Sequence, residues 1–251
     1  RAENVVAWAD HPIAGTVQSV CVVPSADEDE VWLSILRDET VTYDDVTVTY
    51  EDATVTYGII FIEKMMPRSF GTDISDAFFV DSGITVTNSP ASTTVGGFTH
   101  LVGKTITILG DGVKYTPTAV VDDSGEVTIS TAVTTAQGGL AYTSKLEPMK
   151  PVVETQMGTT AASIVAAHEM GVSLLDSYGV KVGISDSALY DIDLDDIRWT
   201  NLSGIDGLFT GTVVVSVDGG FSIERPLIIS SSSPLPCTVR ALIPRMEKAG
   251  R

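Results

Sequence analysis

Basic residues are scarce in this sequence. Fifteen Lys and Arg stand against 33 Asp and Glu, a formal net charge of −18. A protein that neutralises phosphates needs clustered Lys and Arg, so the balance argues against tight nucleic-acid binding. It argues equally against an anionic membrane surface. Cysteine is nearly absent. Cys21 and Cys237 alone make neither a disulfide scaffold nor a zinc site. Each sits in an apolar run, which predicts two buried thiols acting as small hydrophobes. No apolar run approaches the roughly 18 residues of a membrane-spanning helix, and no signal-peptide pattern opens the chain. The sequence begins at Arg1 and goes straight into strand-like residues, which reads as a piece of something longer.

Hydrophobic residues make up 43% of the 251 positions, enough for a real core and too many for wholesale disorder. Gly, Ser, Thr and Val dominate, a mix that favours strands and turns. The expected class is all-β, built from several small sandwich or barrel modules. Three segments are expected. Residues 1–70 read as a β-meander, with strands at Gly15–Pro24, Val31–Leu36 and Gly58–Glu63 and a turn at Asp27–Glu30. Residues 71–150 read as a small barrel or sandwich of short strands with Asp-Gly turns at Asp111-Gly112 and Asp122–Gly125. Residues 151–251 read as a third β-module, with a hairpin turn at Asp218-Gly219-Gly220 and a last strand that closes before Pro244. The Ala-rich stretch from Thr159 to His168, and Val172–Asp176 after it, leaves strand or helix open. The acidity is shared by all three segments.

One internal repeat stands out. Thr-Val-Thr-Tyr recurs at 40–43, 47–50 and 54–57, with acidic spacers at Asp44-Asp45-Val46 and Glu51-Asp52-Ala53. β-Branched residues and tight acidic spacers fit an extended hairpin with turns, not a coiled-coil heptad.

Motifs that carry chemistry are few. The three histidines, His11, His100 and His168, fall in three different segments, and no Gly-x-Ser-x-Gly elbow occurs. Gly97–Thr105 resembles a phosphate loop but has five residues between its glycines instead of four. The following residues read as a strand, where a phosphate loop needs a helix N-terminus. His168-Glu169 opens like a zincin motif, but Val172 stands where the second His belongs. The weak metal candidates are Asp191, Asp193 and Asp195. As a strand they would share one face, with Ile192 and Leu194 on the other; as an EF-hand loop they lack the Gly, replaced by Asp196, and the closing Glu, replaced by Leu202. The bland reading is a half-buried strand or a solvated acidic face. Asp10, Asp27 and Glu28 are loop carboxylates with no assignable partner. No catalytic residue and no cofactor is expected.

Three stretches carry a resemblance to a known family. The first runs from Val6-Ala7-Trp8-Ala9 through Gly15–Pro24, Asp29–Leu33 and Phe61–Lys64. The second, the most specific, is Asp76–Gly83 with Gly97–Thr105, Asp111-Gly112 and Gly139–Ser144. The third is Leu208–Gly211 with Pro234–Val239 and Ile243-Pro244. Together they resemble the tail-nozzle or tail tubular protein B-like structural proteins of short-tailed bacteriophages and related prophages. The resemblance covers most of the chain. The Thr-Val-Thr-Tyr array departs from it as an insertion, and the Ala-rich stretch before His168 stands where relatives carry a basic strand.

The resemblance implies that residues 1–70 end a β-propeller-like part. It implies a structural, non-enzymatic virion component, located in the phage tail and in the host cytoplasm during assembly. Its partners would be other tail proteins and further copies of itself, six in a ring, through which DNA passes without adhering. An acidic lumen fits such a passage, since like charges prevent adhesion. The alternative expectation is a carbohydrate- or cell-surface-binding β-module, calcium-assisted, resting on Tyr43, Tyr50 and Tyr57 and on the Asp191–Asp196 cluster.

Overall fold

Runs of Val, Ile and Thr between Gly, Asp and Pro punctuation dictate strands, because branched side chains pack well on a pleated surface. In the computed structural model every strand pairing is antiparallel, and no α-helix occurs among the described residues. The described residues are 12–248 apart from 27, 41, 44–45, 48, 51–52, 55, 116–119, 150–153, 156–157, 160–163, 197 and 218–226. The chain divides into two compact units, Arg1–Arg68 and Ser69–Arg251.

The first unit holds β1 (Thr16–Val23), β2 (Glu30–Thr40) and β7 (Thr56–Lys64) in a three-stranded sheet ordered β1-β2-β7. Between β2 and β7 the repeat forms two minimal hairpins. β3 (Thr42–Tyr43) pairs with β4 (Val46–Thr47), and β5 (Thr49–Tyr50) with β6 (Ala53–Thr54). The acidic spacers Asp44-Asp45 and Glu51-Asp52 lie outside the described residues, as do the side chains of Tyr43, Tyr50 and Tyr57. The sheet pins a buried Arg37, whose Nη2 donates to Glu63 Oε2 at 2.9 Å and Nε to Glu63 Oε1 at 3.1 Å, with Nη1 on the Ala14 carbonyl. A planar fork on a carboxylate is the strongest of the side-chain ion pairs. Cys21 is exposed and Cys237 only half-buried, so the expected pair of buried thiols is corrected. Cys21 lies on β1, an outer strand whose residues are all exposed, and the apolar run around it does not enter a core.

The second unit contains two sheets of four strands and one of three. β8 (Asp81–Val95), β9 (Thr107–Gly110), β10 (Val113–Tyr115) and β11 (Val127–Leu140) form the order β10-β9-β11-β8. Their core gathers Val95, Phe98, Leu101, Ile108, Val127 and Val133. β12 (Ser144–Leu146), a two-residue pair β13 (Glu154–Thr155) with β14 (Gly158–Thr159), and β15 (Val165–Ser177) follow. Then come β16 (Val180–Ser185), β17 (Ala188–Asp191), β18 (Phe209–Ser216), β19 (Ile228–Ser231) and β20 (Thr238–Lys248). The orders β12-β19-β16-β17 and β18-β15-β20 face each other across Met170, Val172, Leu174, Val182, Phe209 and Ile229. Burying each such side chain contributes about 1.5–3 kcal/mol. That outweighs the exposed ion pairs, each worth about 0–1 kcal/mol. A third cluster, Ala77, Leu109, Leu208 and Leu235, joins residues of the 71–150 segment to residues of the 151–251 segment.

Two expectations are settled here. The stretch left open between strand and helix is a strand from Val165 on, and its burial places Met170, Val172 and Leu174 in the core. The last strand does not close before Pro244. It runs through Pro244 to Lys248, with Pro244 opposite Met170. β20 is an edge strand, where a missing N–H facing outward costs no ladder bond.

Candidate functional site

The phosphate-loop lookalike folds as a corner of the first core. Gly97 takes φ +95°, Phe98 is buried, and a 3-10 turn at Thr99–Leu101 buries Leu101. Four of its amides are spent internally. Phe98 N donates to the Gly125 carbonyl (2.9 Å), Leu101 N to Phe98 (2.8 Å), Gly103 N to Val121 (2.9 Å) and Lys104 N to Leu101 (3.0 Å). A phosphate cradle needs those donors pointing at the anion. Here two of them close the local turn and two reach neighbouring segments.

The acidic candidates are also engaged. β17 ends at Asp191, and a turn follows instead of a continued strand. The expected alternation survives: Ile192 and Leu194 are buried while Asp191, Asp193 and Asp195 are exposed. Lys181 Nζ lies 3.1 Å from Asp191 Oδ1. Asp193 Oδ1 accepts the Asp195 N–H at 3.1 Å, closing the turn. Asp195 Oδ2 accepts the Tyr178 hydroxyl at 3.4 Å, and the Asp195 charge pushes the Tyr178 pKa up. Asp196 takes the Arg198 N–H and guanidinium, with Arg198 Nη2 2.7 Å from Oδ2; that hydrogen bond holds the Asp196 carboxyl below its ordinary range. Among the described residues no group of three or more His, Cys, Asp or Glu gathers as a metal site.

Elsewhere carboxylates lock turns. Asp111, at φ +45°, accepts Thr135 N (2.8 Å) and Thr134 Oγ1 (2.7 Å) on Oδ1, and Thr134 N (2.9 Å) on Oδ2. The two amides and the hydroxyl favour the charged form and lower its pKa. Asp122 accepts Ser124 N and Glu126 N. Asp176, at φ +41°, accepts the hydroxyls of Ser203 (2.7 Å) and Thr210 (2.8 Å), beside the register shift in β15.

His100 and His168 sit in different sheets' surroundings. His100 Nε2 lies 2.9 Å from the Ser82 carbonyl oxygen. His11, Asp10 and Asp27 lie outside the described residues. A scan of protein-family models and a search of curated proteins both returned no match for this chain.

His168 belongs to a concavity that sequence reasoning missed. A depression of about 460 Å³ is lined by His168, Glu169, Ser216, Arg245, Met246 and Glu247, on β15, β18 and β20. Arg245 Nη1 donates to Glu169 Oε2 at 2.6 Å, and His168 Nε2 lies 3.2 Å from Glu247 Oε2. These pairs are about 76 to 79 positions apart in sequence. Only the β15–β20 register, with Glu169 opposite Arg245, brings them together. The cleft therefore presents one arginine–carboxylate pair and one histidine–carboxylate contact across two strands.

Proposed function

We propose that this chain is a structural component of a bacteriophage or prophage tail, part of a homo-oligomeric nozzle or tube through which DNA passes, and that it is not an enzyme. The observation that carries the reading is the corner at Gly97–Lys104. It belongs to the most specific run of the resemblance, and two of its amides, those of Phe98 and Gly103, join it to neighbouring loops of an antiparallel module. The use of Asp111, Asp122 and Asp176 as turn locks supports the same reading, since these acids serve the framework. The net charge of −18 suits a wall that DNA slides past. The propeller-like origin of the first unit, with its three-stranded sheet, is part of this proposal.

The test is negative-stain electron microscopy of the full-length gene product, with its mass in solution. Rings with a central channel are expected. A compact monomer at high concentration, or tight duplex-DNA binding at physiological salt, refutes the reading.

A further inference from the structure

Two Asp-Gly pairs lie among the described residues, and the structure holds them in opposite ways. In an Asp-Gly pair the glycine nitrogen can attack the carboxyl carbon of the aspartate before it, because no Cβ shields that nitrogen. The attack needs a carboxyl free to turn and an amide that is not already donating. Asp111-Gly112 fails the first condition. The Asp111 carboxylate accepts Thr134 N, Thr134 Oγ1 and Thr135 N, and the Asp111 amide donates to the Thr135 carbonyl at 2.8 Å. Asp206-Gly207 meets both conditions. The two residues are exposed and form the corner of a turn, with Gly207 at φ +81°. The turn is closed by Leu208 N on the Ile205 carbonyl at 3.2 Å, so its bond uses the amide after Gly207's. Among the described residues the Asp206 carboxylate accepts no hydrogen bond and joins no ion pair, and the Gly207 N–H donates none. The rest of the loop is braced. Asn201 Oδ1 accepts Ser203 N and Thr210 N at 2.9 Å, Asn201 Nδ2 donates to the Leu208 carbonyl at 2.7 Å, and Ser203 Oγ donates to Asp176 Oδ1 at 2.7 Å. Both glycines neighbour Ile74, so the two pairs share surroundings and differ in what holds the aspartate.

We propose that Asp206-Gly207 is a site of spontaneous succinimide formation and isoaspartate conversion, and that the conversion loosens the joint between the 71–150 and 151–251 segments. The Gly207 nitrogen bonds to Asp206 Cγ. The C–OH bond of the protonated carboxyl breaks, and the hydroxyl leaves with the amide proton as water. Water then adds back to the ring. Opening on the Cγ side restores aspartate; opening at the α-carbonyl leaves the main chain running through Cβ and Cγ. The water lost is the water regained, so no co-reactant is needed. The product carries an extra methylene in the main chain between Ile205 and Leu208. Leu208 is 2% exposed in the cluster with Ala77, Leu109 and Leu235, and Ile205 packs against the same cluster. A close-packed cluster does not absorb a longer connection between two of its members without shifting one of them. This inference goes beyond the tail reading and does not rest on it.

Peptide mapping of the folded chain after prolonged warm incubation at mildly acidic pH tests it. Chymotrypsin cuts after Phe209, which separates Asp206 from Asp218-Gly219, a pair outside the described residues. Electron-transfer fragmentation tells isoaspartate from aspartate at equal mass. Isoaspartate is expected at Asp206, with conversion about tenfold or more slower at Asp111, where three hydrogen bonds must open first. The aged chain should melt about 2–4 °C lower and exchange the amides of residues 208–210 faster. Asp206→Glu keeps the charge but sets the carboxyl carbon a bond further out, where a larger and less favoured ring would have to form. Its side chain is exposed, so circular dichroism stays unchanged. That variant should resist both the conversion and the loss of midpoint. Aspartate retained at position 206 while a synthetic peptide of residues 203–209 converts overturns the site. So do equal rates at Asp206 and Asp111. Conversion with an unchanged midpoint, or the same loss in Asp206→Glu, overturns the loosening of the joint.

Discussion

Gly138 lies in β11 opposite both Ile84 of β8 and Ile108 of β9, at the middle of its sheet. Its backbone is not in the left-handed region, so glycine is required there for space alone. A Cβ at 138 would meet Phe98 Cζ at 2.4 Å and Cε1 at 2.7 Å. The Phe98 ring is wholly buried among Leu101, Ile108 and Val127 and has no room to retreat. Gly138→Ala therefore overpacks the core, at a cost of about 1–3 kcal/mol. Removing a glycine from the unfolded chain returns about 0.5–1 kcal/mol, which leaves a net loss of about 0.5–2 kcal/mol. Phe98→Leu alone loses part of the about 3–5 kcal/mol that full truncation of a buried Phe removes. In the double variant the shorter Leu vacates the space the new methyl needs. The two losses then fall short of their sum by about 1 kcal/mol. Thermal unfolding gives the midpoints, at about 2–4 °C per kcal/mol for a body of this size. Hydrogen exchange of β11 amides confirms that the loss is in this sheet, since two units need not unfold together. An unchanged midpoint for Gly138→Ala, or strictly additive penalties, would refute the reasoning.

Three other predictions follow from single contacts. Thr107 Oγ1 is buried without a partner among the described residues, so Thr107→Val removes an orphan hydroxyl and raises stability by about 1 kcal/mol; no rise in the unfolding midpoint counts against it. Arg37→Met deletes the buried fork on Glu63 and destabilises the first unit by about 3 kcal/mol, read from the fluorescence of Trp32 in the same strand; a change within error would show the fork to be dispensable. The Asp111 carboxyl has a lowered pKa in the folded state, so its contribution is present above the unfolded value near about 3.9 and is lost as pH falls through the folded value. Thermal midpoints of the native chain should therefore drop below about pH 4, and Asp111→Asn should start lower and fall less steeply; parallel curves would exclude Asp111 as a source of that dependence.

The all-β class was legible because β-branched runs recur between turn residues, a local signal that needs no tertiary information. The turns at Asp111-Gly112 and Asp122–Gly125 were legible for the same reason. What sequence left open or misread depends on which strand lies beside which. Alanine favours helix, yet Ala166 and Ala167 sit in β15 because pairing with β20 and burial of Met170, Val172 and Leu174 override propensity. Pro244 reads as a stop, and it is one in a central strand; only the edge position of β20 lets the strand continue. Cys21 reads as buried because Val flanks it. Its strand turned out to be an edge, and hydrophobicity along one strand does not say whether anything covers it.

The acidic residues show the same limit from the side of function. Asp191, Asp193 and Asp195 drew attention as alternating carboxylates, a pattern that a cation loop and a solvated turn share. In the structure these carboxylates hold partners within the protein: a lysine, an amide two residues on, and a tyrosine hydroxyl. Asp111 reads only as a turn residue and Asp176 only as the end of a stretch left open, yet they bridge segments 23 and 34 positions away. A carboxylate that accepts two amides and a hydroxyl is fixed in geometry and holds its charge. It can lock a strand crossing more firmly than an exposed ion pair, whose worth is about 0–1 kcal/mol. In this chain the excess of acid over base therefore has two separable parts, one that closes turns and one that repels. The first should survive added salt, because those bonds are short and local. The second is the part a conduit would use, and it should fade as the screening length shrinks below about 10 Å.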